Sequence, residues 1–515
     1  MVKKIMLSGI VSLALATTLF TGCGDDTTVV DVNISGLTKV GSYETSKEGG
    51  SEIVAYDKAS KKAFVTNGAE NKIDILDLTT PASPTKLSSI DLASYGTGVN
   101  SVAAKNGLIA VAVQNGNDTV GKKQLKGSVV FFDTDGVHKK TVEVGYLPDM
   151  VTFNEEGTKV VVANEGEPNG KYTVDPVGSI GVITVSDYGY ADIDFASATF
   201  TKANDGTEVR LGGTPSNDKA KDLEPEYVTV SGNYAYVTLQ ENNAMAKVNL
   251  STNKLEYVKS YGAKSWEADS NNTIDIEENE KIEMKSFKGL FGLYQPDSIA
   301  SYTVDNATYL VTANEGDGRE YLYEENGEEK ESHNDEKKIK KLTLDASIAG
   351  EYANDDDLKV MVDLGDTDND GDYDKLYTYG ARSFSIWDAE GDLVWDSGDA
   401  ISKKVAELQP ALFNQDEGQM DGRSGNKGAE PEALTVGKIG NKTFAFVGLE
   451  RQNAIMVYDI TDPKAPKYIN YIITEPKDVS PEGMKFVSAA ESPDGKNYLL
   501  VAFEVSGSTT VYEVK

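Results

Sequence analysis

Apolar residues along this chain fall in short runs rich in Val, Ile, Ala and Tyr, each closed by Gly, Asn or an acid. Runs of that length and composition predict β-strands joined by tight turns. The runs also recur as a module. One copy opens at Leu147-Pro148-Asp149-Met150-Val151, turns at Glu156-Gly157 and returns as Lys159-Val160-Val161-Val162-Ala163 into Asn164-Glu165-Gly166. The next runs from Glu224-Pro225-Glu226-Tyr227-Val228 to Tyr236-Val237-Thr238-Leu239-Gln240-Glu241, with Ala246 to Leu250 as a third strand. Three more open at Gln295-Pro296-Asp297, Glu430-Pro431-Glu432 and Ser480-Pro481-Glu482, and two earlier copies, at Ser51-Glu52-Ile53 and Val99-Asn100-Ser101, lack the proline.

Seven short-stranded copies at a period of roughly 40 to 50 residues predict an all-β, seven-bladed β-propeller of the WD/YVTN-repeat kind. The last copy ends at Val511-Tyr512-Glu513-Val514 with no fourth strand, while Val40-Gly41-Ser42-Tyr43 stands unpaired ahead of the first. Closure of the ring by that N-terminal strand is therefore expected, which removes an exposed sheet edge. Insertions interrupt the modules at Ser197 to Asp222, Ala263 to Leu293, Asp317 to Leu376 and Ile401 to Gly428. They read as mostly acidic loops, with Glu324 to Glu331 a solvated, mobile tip.

The N-terminus divides off. Lys3 and Lys4 precede an apolar stretch from Ile5 to Phe20, and Phe20-Thr21-Gly22-Cys23 ends it in the manner of a bacterial lipobox. Residues 1–23 then form a lipoprotein signal peptide, residues 24–35 a polar tether, and residues 36–515 the propeller. Cys23 is the only cysteine. Acylated, it anchors the chain and leaves no thiol for disulfides, thiolate metal sites or cysteine catalysis. The expected location is the cell envelope, the outer membrane rather than the inner one, with the membrane met through the lipid alone and the chain a monomer.

Charge narrows the partners further. Fifty Lys plus Arg against 83 Asp plus Glu give a formal net charge of -33, which disfavours nucleic acid and anionic lipid headgroups and favours cations. At 39% hydrophobic residues the chain still has the apolar surface for a packed core.

Several phrases then resemble a known family. Asn164-Glu165-Gly166-Glu167-Pro168, Tyr294-Gln295-Pro296-Asp297, Asn314 to Tyr321, Gly380 to Asp388, Gly428-Ala429-Glu430-Pro431-Glu432 and Leu449-Glu450-Arg451 are similar to the choice-of-anchor I family. That resemblance covers nearly all of the chain after residue 30 and implies an extracellular propeller-like fold, with relatives of the mesenchyme-specific cell-surface glycoprotein among its members. Some bacterial members carry an alkaline phosphatase label. Ala429 and Ala433 depart from the family's pattern around the Glu-Pro-Glu step.

Three constellations could carry chemistry. Asp366, Asp368, Asp370, Asp372 and Asp374 alternate around Gly371, as an oxygen-ligand calcium loop requires, although Tyr377 stands where an EF-hand places its bidentate glutamate. Calcium is the expected ion, and an exposed acidic turn is the plainer reading. The acids of the opening steps, Glu52, Asp149, Glu226, Asp297, Glu432 and Glu482, occupy equivalent positions on the strands that border the axis, with Asn100 in the remaining copy. Glu165, Glu241, Glu315, Glu450 and Glu504 add a second tier. Two readings of this ring stand: structural acids accepting backbone N–H bonds from neighbouring blades, or the mouth of a cation or ligand site. Lastly, Arg319, Arg382, Arg423 and Arg451 could bind an anion such as phosphate, or pair with the ring.

Histidine offers little, because His138 and His333 are the only two and each is expected in a loop. No zinc triad follows, and no Gly-x-Ser-x-Gly elbow supports a Ser-His-Asp site. The reading that results is an envelope lipoprotein whose calcium-stabilised propeller binds a surface ligand or protein. The alternative is a calcium-dependent phosphatase or phytase-like esterase.

Overall fold

The computed structural model describes residues 34–212, 218–353 and 357–515. The signal peptide, Cys23 and all but the last two residues of the tether lie outside the described residues. Seven sheets built on antiparallel meanders follow one another along the chain, the fourth with Phe200–Thr201 added in parallel at its edge. Their first strands are Val54–Asp57, Gly98–Lys105, Pro148–Phe153, Val228–Ser231, Ile299–Val304, Pro431–Ile439 and Pro481–Val487. We number the sheets one to seven in that order. Each first strand touches the first strand of the next sheet, and that of sheet seven touches that of sheet one, so the contacts run in a cycle. The fold is all-β and propeller-like.

The apolar runs acquire their reason here, because every sheet is covered on both faces. Val160 and Val162 pack with Ala110, Val129 and Phe131 of sheet two, whereas Val161 and Ala163 pack with Val228, Val237 and Ala246 of sheet four. All four residues are fully buried. A strand buried on both faces needs apolar residues at odd and even positions alike, which is why no strict alternation appears. Similar clusters fill the other gaps between neighbouring sheets.

Sheet seven takes its outer strand from the N-terminus: Leu37–Glu44 pairs antiparallel with Ser508–Val514. Asp478, 1% exposed, joins the two. It accepts hydrogen bonds from Lys39 Nζ at 2.7 Å on one side and from the Ser508 and Thr510 hydroxyls at 3.0 Å on the other.

The insertions hold more structure than their acidic composition implies. Glu320–Glu325 and Glu328–Asn334 form a β-hairpin, so the expected mobile tip is a two-residue turn. Asn326 and Gly327 both have positive φ (58° and 79°), the geometry that Asn-Gly favours and that matches the twist of the flanking strands. Ala263–Ser265, Leu290–Leu293 and Leu376–Thr378 form a three-stranded sheet, and Trp266, Ile276, Phe287, Leu358 and Val360 belong to a separate core beside it. In the last insertion Ala400–Leu408 is helical, with Ile401 and Val405 one turn apart and turned into the core between sheets five and six. Both histidines lie on strands rather than in loops: His138 opens His138–Tyr146 and stacks on Tyr95, and His333 stacks on Tyr321.

Candidate functional site

The residue before the opening proline is left-handed in four sheets, at Leu147 (φ 45°), Gln295 (41°), Glu430 (52°) and Ser480 (65°). None is glycine, so each position carries backbone strain on the order of 1–3 kcal/mol, a cost retained where geometry matters. Strand pairing then slips just past the proline. The register shifts between Pro148 and Val151, between Pro431 and Leu434, and between Pro481 and Gly483, and the acids Asp149, Glu432 and Glu482 fall inside these bulges. A bulge leaves its extra residue unpaired and re-aims its side chain. Asn100 sits in the same kind of shift in sheet two.

A cavity of about 290 Å³ results, lined by Glu52, Asn100, Asp149, Tyr227, Asp297 and Glu482. A second, of about 310 Å³, shares Ile53, Met150 and Tyr227 with it and is lined further along by Thr152, Thr229 and Lys485. The channel thus has an acidic chamber and a chamber of hydroxyls and lysine, with those three shared side chains between them. The carboxylates of Glu52, Asp149, Asp297 and Glu482 make no hydrogen bond among the described residues, and Oε2 of Glu226 and of Glu432 is buried with no partner. Backbone donors from neighbouring sheets, which a purely structural ring requires, do not reach them.

Charge follows from this placement. Burial, reinforced by Glu504 and Asp149, pushes the Glu52 carboxyl up to about 7. Asp149 rises to about 6 through burial, against the pull of Lys123. Glu226, Asp297, Glu432 and Glu482 are held well above the ordinary carboxylate range by burial and by one another. Buried like charges disfavour the ionised form, and a cation or a donor reverses that.

The second tier is partly neutralised from the rim. Lys427 reaches Glu315 at 2.6 Å and Asp317 at 3.4 Å. Arg423 meets Glu430 at 2.5 Å, and Arg451 lies 3.5 Å from Glu430 and 3.3 Å from Glu450. Burial alone would push Glu430 up, but Lys427, Arg423 and Arg451 outweigh it and hold its carboxyl below the usual range. Glu165, Glu241 and Glu504 are raised by burial, and burial together with Glu430 takes Glu450 to about 7.

The other two arginines are enclosed. Arg319, 2% exposed, holds Glu224 at 2.8 Å and the Asp222 carbonyl at 3.0 Å. Arg382, also 2% exposed, donates to the carbonyls of Asp275, Ser424 and Asn426 at 2.7 to 2.8 Å. Sequence reasoning missed Glu224, Glu430, Lys427 and Tyr227. Glu224 and Glu430 directly precede the prolines and so were visible as the outer acid of a Glu-Pro-Glu step, and Lys427 lies three residues ahead of Glu430; Tyr227 follows Glu226 with nothing to set it apart from other strand tyrosines.

The alternating aspartates lie far along the chain in the insertion of sheet five. Oxygens of Asp366, Asp368 and Asp374 come within 4.8 Å of one another, and Asp345, which the sequence pattern does not include, makes a second such group with Asp372 and Asp374. Asp370 joins neither. Asp366 accepts the N–H groups of Asp370 and Gly371 at 3.2 and 3.1 Å, which curls the loop, and the neighbouring Asp370 charge raises the Asp368 carboxyl.

Comparison with known proteins adds family to this geometry. The model of the choice-of-anchor I domain matches residues 52–463. Gigasin-3a of Magallana gigas is 28% identical over 170 residues, 28% of this chain and 60% of that protein. A mesenchyme-specific cell surface glycoprotein of Strongylocentrotus purpuratus is 27% identical over 104 residues, 17% of this chain and 13% of that protein. The chain therefore spans less than two thirds of either relative. Among solved structures, Kuenenia stuttgartiensis hydrazine synthase aligns with a TM-score of 0.47 at 11% identity, covering 91% of this chain and 96% of that one.

Proposed function

The chain belongs to the choice-of-anchor I family, and from that membership and its acid-lined channel we propose an exported, lipid-anchored, seven-bladed β-propeller that binds a cation or cation-bearing surface ligand. The cycle of seven sheets and the N-terminal strand paired to sheet seven support the propeller; Cys23 in its lipobox supports the anchor, placed in the outer membrane. The cell-surface description of one relative agrees with that location. Calcium is the stabilising ion, held at the aspartates of 366–374 with Asp345.

One observation carries the binding reading: the ring carboxylates, half-buried apart from the buried Glu226, gather at one chamber without the protein donors that a structural role needs. For Glu226 and Glu432, whose Oε2 atoms are buried without a partner, leaving the group unsatisfied costs about 1–3 kcal/mol or more, which binding of positive charge recovers. The phosphoesterase alternative gains no support, since Arg319 and Arg382 are spent on buried contacts and Arg423 and Arg451 face Glu430. Calorimetric titration of the purified chain with spermidine and with divalent cations tests the reading. Binding that weakens in Glu482→Gln and survives loss of the 366–374 aspartates supports it; no binding of either kind in that loop variant refutes it.

A further inference from the structure

Asp297, Glu315 and Glu432 each offer an oxygen, and the three oxygens lie within 4.8 Å of one another at the junction of sheets five and six. We infer that these three carboxylates, with Glu226 beside them, form a binding site for a hard divalent cation, calcium first, separate from the aspartates of 366–374. The inference rests on the binding reading above and names the cation it calls for.

Two observations beyond the cluster point to a ligand. Glu226, on the adjoining sheet four, is 9% exposed, is close enough for Asp297 to raise its carboxyl and has an oxygen with no partner, and Oε2 of Glu432, a member of the cluster, is likewise buried and unpaired. The supporting shell is already made. Gln240 donates to Oε2 of Glu315 at 3.1 Å and Lys427 to its Oε1 at 2.6 Å, which fixes that carboxylate in place. The Ser298 hydroxyl donates to the Glu432 carbonyl, and Thr238 donates to the Asp297 carbonyl at 3.0 Å, so the backbones carrying the other two are pinned from the adjoining sheets. Such outer contacts orient ligands before the ion arrives.

The donor set selects the metal. All donors are carboxylate oxygens with no nitrogen or sulfur among them, which suits calcium, manganese or magnesium over zinc or copper. Calcium accepts roughly six to eight oxygens in flexible geometry, which suits carboxylates gathered from two sheets, whereas magnesium demands a tight octahedron and keeps its waters. Asp297 also lines the acidic chamber, which gives the ion a route in.

The test uses the purified full chain at pH 7.5, stripped with chelator and then titrated with calcium and with manganese. The loop variant Asp366→Asn/Asp368→Asn/Asp374→Asn is expected to keep one binding event. Adding Asp297→Asn/Glu432→Gln is expected to abolish it or weaken it more than about 100-fold, beyond the roughly 10–100-fold that follows loss of an outer contact. Melting in chelator reports whether that variant is folded, and removal of mutual repulsion predicts a melting point no lower than that of the loop variant. Manganese anomalous scattering from crystals of the wild type gives the independent check, with a peak expected among Asp297, Glu315 and Glu432. An unchanged titration in the channel variant, or a manganese peak only at 366–374, overturns the inference. Should the loop variant bind spermidine but no metal, the metal site is wrong and the binding reading stands; should it bind neither, both fall.

Discussion

Glu52→Gln is the sharpest probe of the acidic chamber, because it removes a charge while keeping the shape of the side chain. Burial raises this carboxyl from 4.5 to about 7, with Glu504 and Asp149 adding to the effect. A folded-state pKa above the unfolded one means that the native protein binds the proton more tightly. Stability from this group is therefore greatest below pH 4.5 and is lost as pH rises through the interval from 4.5 to about 7. At about 1.4 kcal/mol for each pH unit, the full loss above that interval is about 3 kcal/mol. Partial exposure to the chamber and charge shared with Glu504 and Asp149 reduce it to about 1–3 kcal/mol. Roughly 480 ordered residues unfolding together carry an entropy near 1 kcal/mol/K, so the melting point should move by about 1–3 °C. Melting of the wild type and Glu52→Gln, with chelator present, should coincide at pH 4 and separate in favour of the variant by pH 8. Equal melting at pH 8, or a variant that is less stable there, would falsify the claim that burial and like charge strain this ring.

Three further outcomes follow from named contacts. Calcium at about 100 times the dissociation constant of the aspartate loop should stabilise the folded chain by about 2.7 kcal/mol through that site, and Asp368→Ala with Asp374→Ala should remove this share of the rise in melting temperature while leaving any share due to the channel; a rise unchanged in that variant leaves the loop a plain turn. Arg319→Met leaves Glu224 buried without its 2.8 Å partner, so chemical denaturation should show a loss of about 3–5 kcal/mol, mostly restored by adding Glu224→Gln; a loss under 1 kcal/mol would contradict the pairing. Asp478→Ala strips the link between the N-terminal strand and sheet seven, and should cost about 1–3 kcal/mol while speeding amide exchange at Thr38 to Tyr43 over that in sheets two and three.

The propeller-like repeat was legible in the sequence because each module is self-sufficient in its signals. A strand such as Lys159–Asn164 shows its burial in its own letters, and the prolines mark where the next sheet begins. The insertions were less legible for a physical reason: their core is assembled from distant pieces. Trp266, Phe287 and Val360 meet only when three separate segments come together, and no local period announces that. The hairpin at 320–334 was missed although Asn326-Gly327 is a strong turn signal, because the surrounding glutamates read as solvated coil. At the channel, equivalence within the repeat placed Glu52, Asp149, Asp297 and Glu482 around one chamber. What it could not supply was the partner of each charge. Arg382 binds backbone carbonyls, which every residue has, and Lys427 bridges Glu315 and Asp317 from more than 100 positions away.

The chamber itself shows where the chain departs from the rules that govern the rest of it. Between the sheets, most buried positions are apolar and gather in continuous clusters. On the axis the same strands present carboxylates from bulges that begin at strained residues, Leu147, Glu430 and Ser480 among them. A ring of valines there would avoid the repulsion. Local conflict concentrated at equivalent positions on the axis is the pattern expected where a site is built at the expense of stability. The rim makes the same point from the other direction. Glu430, wholly buried, is held by Lys427, Arg423 and Arg451, so this fold does supply cations to an acid that needs them for structure. It supplies none as close to Glu226, Glu432 or Glu482 among the described residues, and the proposed cation site rests on that contrast.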